Sequence, residues 1–229
     1  MTVYLKWFPN SWFQIKSDDK VLYVDPAYLK PMFKDYLKKG TDDLPEDLEK
    51  ANIIMVTHEH RDHCSPATVN ALKKEDTLVI ASKTCVDELD EDTKIVKPGE
   101  EISQGDIKIK AVEAYNTEHG HSTMKFHKKG ESLGYLITLD GKTIYHAGDT
   151  DFIPEMKEFG DVDVALVPIG GTYTMDMDEA IDAVMAINPK IVIPMHMKDA
   201  DPDEFKKIVE EKSDIEVVPL EIGGTYQLN

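Results

Sequence analysis

The stretch Thr57-His58-Glu59-His60-Arg61-Asp62-His63 places three of the chain's eight histidines within six residues, with an aspartate among them. It follows directly on residues 52–57, "NIIMVT", a nearly continuous apolar run that reads as a strand buried on both faces. After it the sequence predicts a helix from Pro66 to Lys73, with Ser65 as N-cap and Pro66 at the first position. Ligands of α/β sheets collect at the carboxyl ends of such strands. Histidines at i and i+2 converge on a tight loop or an extended backbone, whereas on a helix they would point about 200° apart. Neutral imidazole and carboxylate suit zinc, manganese or iron, and the absence of cysteine from the cluster argues against a structural four-thiolate site. One metal would not use His58, His60, Asp62 and His63 and keep an open face. Two metals roughly 3.5–4 Å apart would.

Outward from this stretch, short apolar strands alternate with amphipathic helices. "VYLKWF", "WFQIK" and "KVLYVD" read as an opening meander. "TLVIAS" and "DVALVPI" are further buried strands, and "DIKIKAVEAY" alternates in its first half. Asp140-Gly141 between "GYLITL" and "KTIYHA" is a strong hairpin signal. Apolar residues at helical spacing predict a helix over Met177–Ile187, ended by Asn188-Pro189. "KIVIP", an acid-capped helix "DPDEFKKIVEEK" and a strand "IEVVPL" follow, and the tail "GGTYQLN" is expected at a sheet edge. The placement of the first cluster recurs downstream. Asp149 follows "KTIYHA", Gly170-Gly171 follow "DVALVPI", and His196 follows "KIVIP", so several strands deliver chemistry-bearing residues at their ends. Strands followed by strand–helix alternation, twice over, suggest two sheets sandwiched between helices in one domain, residues 1–229.

Composition narrows the classes. The chain has 229 residues, 41% apolar and 31% charged, with a net charge of −18. Such a surface repels polyanions and lacks the basic footprint of a nucleic-acid binder, yet a bound cation can invert the local field for a small anion. Apolar runs of about four or five residues fall far short of the roughly 20 needed to span a membrane. Pro9, Asn10 and Gln14 interrupt the apolar patches near the N-terminus, so no signal peptide is expected. Cys64 and Cys85 cannot build a disulfide framework, which favours a reducing cytoplasm.

H-x-H-x-D-H after a buried strand, a later histidine, an aspartate in "HAGDT" and a final histidine after a strand together resemble the metallo-β-lactamase-fold hydrolases. The resemblance extends over nearly the whole chain. "VLYVDP", "IYHAGDTDFIPEM", "PIGGTYTM" and "PKIVIPMH" are similar to motifs of small stand-alone members of the group that includes ascorbate-6-phosphate lactonase-like proteins. It implies an α/β fold of four layers, an αββα sandwich, with a dinuclear site between the sheet edges. It further implies that His58 and His60 bind a first metal with a later histidine, that Asp62, His63 and His196 bind a second, that Asp149 bridges both, and that Asp25 orients the ligand loop. The later histidine is His127, His121 or His119. His127, seven residues before Gly134-Tyr135, is preferred. Two departures touch the pocket edge: Pro9-Asn10 stands where many members carry Gly-His, and Thr172 follows the paired glycines where many carry histidine or another polar residue.

The function expected is metal-dependent hydrolysis of a small anionic ester, lactone or phosphoester by hydroxide held between two divalent ions, most simply zinc, with manganese or iron as alternatives. Asp62 and Asp149 are the candidate catalytic residues. His146 reads as structural or supporting, Tyr173 as a pocket wall, and Gly170-Gly171 as either a tight turn or a place where substrate nears the backbone. The partner expected is a small molecule, with no membrane and with nucleic acid disfavoured; a homo-oligomer is compatible with the sequence. Two other readings stand beside this one: a nucleic-acid phosphodiesterase or ribonuclease of the same fold, and a metal-binding sensor without catalysis.

Overall fold

Apolar alternation and β-branched residues place the strands, and the termini of the parallel ones place the functional residues. The computed structural model describes residues 1–28, 44 and 48–229. These form two compact units, Met1–Val96 with Glu221–Asn229, and Lys97–Leu220. Elements are numbered in chain order.

In the first unit β1 (Val3–Trp7), β2 (Phe13–Ser17) and β3 (Lys20–Val24) form the antiparallel meander, with Trp7 opposite Phe13 and Lys16 opposite Val21. β4 (Ile53–Val56) and β5 (Leu78–Ser82) then run parallel to β3, pairing Leu22 with Ile53 and Ile53 with Leu78. All four residues of β4 are buried, as expected of a parallel strand covered on both faces. β6 (Lys94–Val96) and β14 (Thr225–Leu228) close the two ends, giving the order β14-β1-β2-β3-β4-β5-β6 among the described residues. The tail thus takes an edge position against β1. α1 (Pro66–Leu72) starts as the sequence indicates, with Ser65 Oγ accepting from the Thr68 N–H, a cap worth about 1 kcal/mol. It stops at Leu72, because Lys73 is already extended. Val69 and Leu72 pack with Phe8, Trp12, Tyr23 and Ile54. Phe8 and Trp12 stack at 4.5 Å.

The second unit has the order β13-β12-β11-β10-β9-β8-β7, from β7 (Glu101–Gln104), β8 (Ile107–Ala114), β9 (Ser132–Leu139), β10 (Lys142–His146), β11 (Val164–Pro168), β12 (Ile191–Met195) and β13 (Glu216–Val217). β9 and β10 form the predicted hairpin. Asp140 and Gly141 both adopt positive φ, 50° and 76°, as a two-residue turn matched to strand twist requires. β10, β11, β12 and β13 are mutually parallel. α2 (Met177–Ile187) has the predicted bounds, capped by Asp176 at its start and ended by Asn188 in the left-handed region. α3 (Pro202–Lys212) is capped by Asp201, whose carboxylate accepts from the Asp203 and Glu204 N–H groups.

The sequence reading misses β6 and β7, both short, charge-bearing edge strands with no alternation long enough to register. It also overextends the last strand of the second unit. Val218 still donates to Val192 O, but Pro219 has no N–H to continue the ladder. Among the described residues no helix is long and apolar enough to cross a membrane.

Asp163 locks the amino ends of β10, β11 and β12 together. Its carboxylate accepts from Thr143 N–H at 2.8 Å and from Lys190 Nζ at 2.6 Å. Burial acts to raise its pKa, but the Lys190 ammonium and the Thr143 N–H outweigh burial and hold it below the usual aspartate value. A carboxyl depressed on folding contributes stability above its unfolded pKa, about 3.9, and loses it as pH falls through the lower folded value. Asp163→Asn should therefore cost about 1–2 kcal/mol near neutral pH, and the gap should close as the pH is taken below about 4. Urea unfolding of both proteins across that range checks this; a gap independent of pH would contradict it.

Candidate metal centre

In the first unit the ligand loop starts where β4 ends. His63 N and Cys64 N both donate to His60 O at 2.8 Å, so residues 60–64 fold into one tight turn before the Ser65 cap. This is the loop geometry that lets i and i+2 imidazoles face one point. His58 Nε2 and His60 Nδ1 lie 3.1 Å apart, with ring centroids at 4.7 Å. His58 and His63 are fully buried, and their rings lie 4.0 Å apart. His63 Nε2 stands 3.9 Å from Asp62 Oδ2. Asp62 is held in turn by Asn10 Nδ2 at 2.8 Å. The departure from the usual Gly-His thus supplies an amide that fixes a candidate ligand, and Asn10 takes the left-handed φ of 60° to do so.

Asp25, at the end of β3, sets the tautomers. It is fully buried and has φ 48°. Oδ1 accepts from Thr57 N–H at 2.8 Å; Oδ2 accepts from Thr57 Oγ1–H at 2.8 Å and from His63 Nδ1–H at 2.7 Å. An ionised carboxylate only accepts, so the His63 proton is on Nδ1 and Nε2 keeps its lone pair. The single Thr57 hydroxyl proton goes to Asp25. Thr57 Oγ1 must therefore accept from His58 Nδ1, 2.9 Å away, which leaves His58 Nε2 a lone pair as well.

In the second unit Asp149 follows β10 and His196 follows β12. Asp149 Oδ2 lies 3.8 Å from His127 Nε2 and 3.9 Å from His196 Nε2, and all three residues are buried. Asn116 orients His127. Its Oδ1 faces Phe126 N–H, His127 N–H and His127 Nδ1 at 3.0, 2.9 and 3.1 Å. Its Nδ2 faces Ser122 Oγ, Asp151 Oδ1 and Tyr173 O, so flipping the amide would set Nδ2 against the Phe126 and His127 N–H groups and Oδ1 against the Asp151 carboxylate and the Tyr173 carbonyl. His127 therefore carries its proton on Nδ1 and turns a bare Nε2 toward Asp149. His121 is exposed and its Nδ1 bonds Asp176 Oδ1 at 2.9 Å; His119 is exposed too. His146 is buried, its Nδ1 accepting from Gly148 N–H at 3.2 Å.

His196 adopts φ 46°. A histidine there is strained, and Gly170 makes room for it: a Cβ on Gly170 would sit 2.3 Å from His196 O. The first of the paired glycines thus serves close backbone approach to the His196 loop, and Gly171, at φ 73°, is the turn residue.

Each of the seven predicted ligands belongs to a cluster of histidine and carboxylate donors able to hold a metal ion. The donor set fits such an ion. Imidazoles whose Nδ1–H is held by an oxygen, so that Nε2 keeps its lone pair, are the usual arrangement of metal-binding histidines. Cys64, next to His63, is not a ligand of this kind. Its hydrogen bond with Cys85 and its burial push the thiol well above the usual range, which keeps it protonated and inert. Sequence reading missed Asn116, which lies in no recognisable pattern, and the Thr57 relay, which depends on Asp25 thirty-two residues away in the chain.

The comparisons agree with this chemistry. Residues 4–196 match the beta-lactamase superfamily domain. A UPF0173 metal-dependent hydrolase of Pyrococcus furiosus is 38% identical over 194 residues, covering 80% of this chain and 84% of that protein. One from Thermococcus kodakarensis is 34% identical over 236 residues, covering 99% and 100%. Among solved structures, a protein of Parabacteroides distasonis described as a metal-dependent hydrolase has a TM-score of 0.81 at 32% identity, covering 95% of this chain and 92% of its own. Igni18, a metallo hydrolase from Ignicoccus hospitalis, has 0.75 at 28% identity, covering 100% and 99%. The fold class is therefore the αββα sandwich of metallo-β-lactamase type. The chain belongs to the beta-lactamase superfamily, and within it to the metal-dependent hydrolases.

Asp25→Asn tests the tautomer argument. An amide at this position can accept from Thr57 N–H, but its NH2 then faces Thr57 Oγ1 and His63 Nδ1, and His63 must move its proton to Nε2. Metal affinity should drop about 10–100-fold, measured by competition with a chromophoric chelator. Wild-type affinity would show that Asp25 does not set the ligand tautomers.

Proposed function

We propose that residues 1–229 work as a single metallo-hydrolase domain that cleaves a small anionic ester, lactone or phosphoester. Its cofactors are two divalent transition-metal ions, zinc first and manganese or iron next, held by His58, His60, Asp62, His63, His127, Asp149 and His196. The observation that carries this reading is the common orientation of the imidazoles. His58, His63 and His127 each commit Nδ1–H to an oxygen and keep Nε2 for a cation.

When bound, such ions supply Lewis acidity and bring the pKa of water toward about 7. The chain's own groups supply the geometry. Asp62, fixed by Asn10, and Asp149, between His127 and His196, present carboxylate oxygens that accept the proton of the attacking water and align it. Five imidazoles against two carboxylates keep the donor set weakly anionic, so an anionic substrate can approach despite the net charge of −18. That same net charge supports a small molecule over a nucleic acid as partner. The two cysteines, free and buried, suit a reducing compartment such as the cytoplasm.

The protein as purified should contain about two transition-metal ions per chain. Chelation should abolish hydrolysis of p-nitrophenyl esters, lactones or bis-p-nitrophenyl phosphate, and zinc, manganese or iron should restore it. Which substrate responds divides acyl from phosphoryl chemistry. Asp149→Ala should reduce turnover by more than about 100-fold; full turnover in that variant would remove Asp149 from the reaction. Tight tRNA binding at physiological salt would redirect the reading to nucleic-acid cleavage.

A further inference from the structure

Three residues of the second unit gather without any role in holding the proposed ligands. Phe126 immediately precedes His127, and its side chain is 53% exposed in spite of its size. Its ring meets Tyr173 edge to face, centroids 5.5 Å apart. Lys198, two residues beyond His196, places Nζ 4.6 Å from the centre of the Tyr173 ring. The segments that carry Phe126 and Tyr173 are stitched together by Met124 N→Thr172 O at 2.7 Å, Thr123 N→Gly171 O at 3.2 Å and Asn116 Nδ2→Tyr173 O at 2.8 Å. The two rings are therefore held by their backbones rather than meeting as loop tips, and Lys198 rests on one of them.

Charge gives this surface its chemistry. The chain has 44 acidic residues against 26 basic ones. Several lysines find a carboxylate, as Lys73, Lys129 and Lys190 do. Among the described residues, no carboxylate lies within ion-pair distance of Lys198, which is exposed and rests instead on an aromatic face. Its backbone sits at φ 48°, a conformation unfavourable for lysine. An accessible cation beside one exposed ring, Phe126, and one half-buried ring, Tyr173, complements a ligand that carries both an anionic group and an apolar ring.

We infer that Phe126, Tyr173 and Lys198 form a recognition subsite for a ring-bearing oxyanion, the ring lying on Phe126 and Tyr173 and the oxyanion meeting Lys198 Nζ. This rests on the proposed hydrolysis of a small anionic substrate and narrows it to aryl or similarly ring-bearing acids and their derivatives. Phe126 directly precedes the proposed ligand His127 and Lys198 lies two residues beyond the proposed ligand His196, so the subsite is built on the same two loops that carry these ligands. The oxyanion is a carboxylate or a phosphate, and the two are separated by experiment.

Binding to the metal-loaded protein is measured by isothermal titration calorimetry, so no turnover is needed. The probes are phenylacetate and phenyl phosphate, with acetate as the charge without the ring and benzyl alcohol as the ring without the charge. At least one ring-bearing anion should bind about tenfold more tightly than either control. Lys198→Met should weaken that binding about fivefold, Lys198→Arg should recover most of it, and added salt should reduce it in the wild type but little in Lys198→Met. Phe126→Ala should weaken both ring-bearing anions and leave acetate unchanged. A preference for phenyl phosphate identifies the phosphoester class, and one for phenylacetate the carboxylate class. Equal binding of acetate and both ring-bearing anions, or wild-type affinity in Lys198→Met, overturns the subsite. If the probes bind as expected and no ester is cleaved, the subsite stands and the hydrolase reading falls. Cleavage with unaltered affinity in Lys198→Met does the reverse.

Discussion

A buried aspartate carboxylate at the end of β3 organises the ligand loop. Asp25 has no exposed surface, and a charge so placed is tolerated only when hydrogen-bonded. Its three donors are the Thr57 N–H, the Thr57 hydroxyl and the His63 ring. Each of them lies on the loop that must present Nε2 atoms outward. The loop is thus satisfied when its imidazoles are correctly protonated and aimed, and a flipped tautomer would strand a charge in the interior. The parallel pairing of β3 with β4 brings Asp25 beside Thr57, and Asp25 N donates to Met55 O to fix the spacing.

The second unit solves the same problem with a neutral group. Asn116 holds His127 by an amide oxygen, where His63 is held by a carboxylate. Either partner fixes the tautomer and orientation of the ring. His63 and His58 are thus tied, directly or through Thr57, to a carboxylate, and His127 to an amide. The amide has a second consequence: Nδ2 of the same residue binds Tyr173 O. One side chain thereby sets both a proposed ligand and the aromatic surface beside it. His196 shows a third device, a left-handed backbone made possible by the missing Cβ of Gly170.

Among the described residues, most of the strands and the three α-helices are legible in the sequence, since periodicity, caps and turn residues are local signals. Asp140-Gly141, Ser65-Pro66 and Asp201-Pro202 each specify their turn or helix start through backbone chemistry that needs no distant partner. The short edge strands β6 and β7 and the early end of β13 are not legible, because edge strands carry charge and Pro219 interrupts the ladder. The ligand types are visible for the same local reason: histidines and aspartates crowd where buried strands end.

What the sequence by itself determined is which elements form, which side chains stand at the strand ends, and that their chemistry suits a metal. Only the tertiary structure decided how those side chains are protonated and aimed. That depends on contacts between residues far apart in the chain, Asp25 with His63, Asn10 with Asp62 and Asn116 with His127. It decided, too, that Lys198 rests on Tyr173 rather than on an acid. A hydrogen bond's direction is set by the partner that packing delivers, and no local pattern encodes that partner.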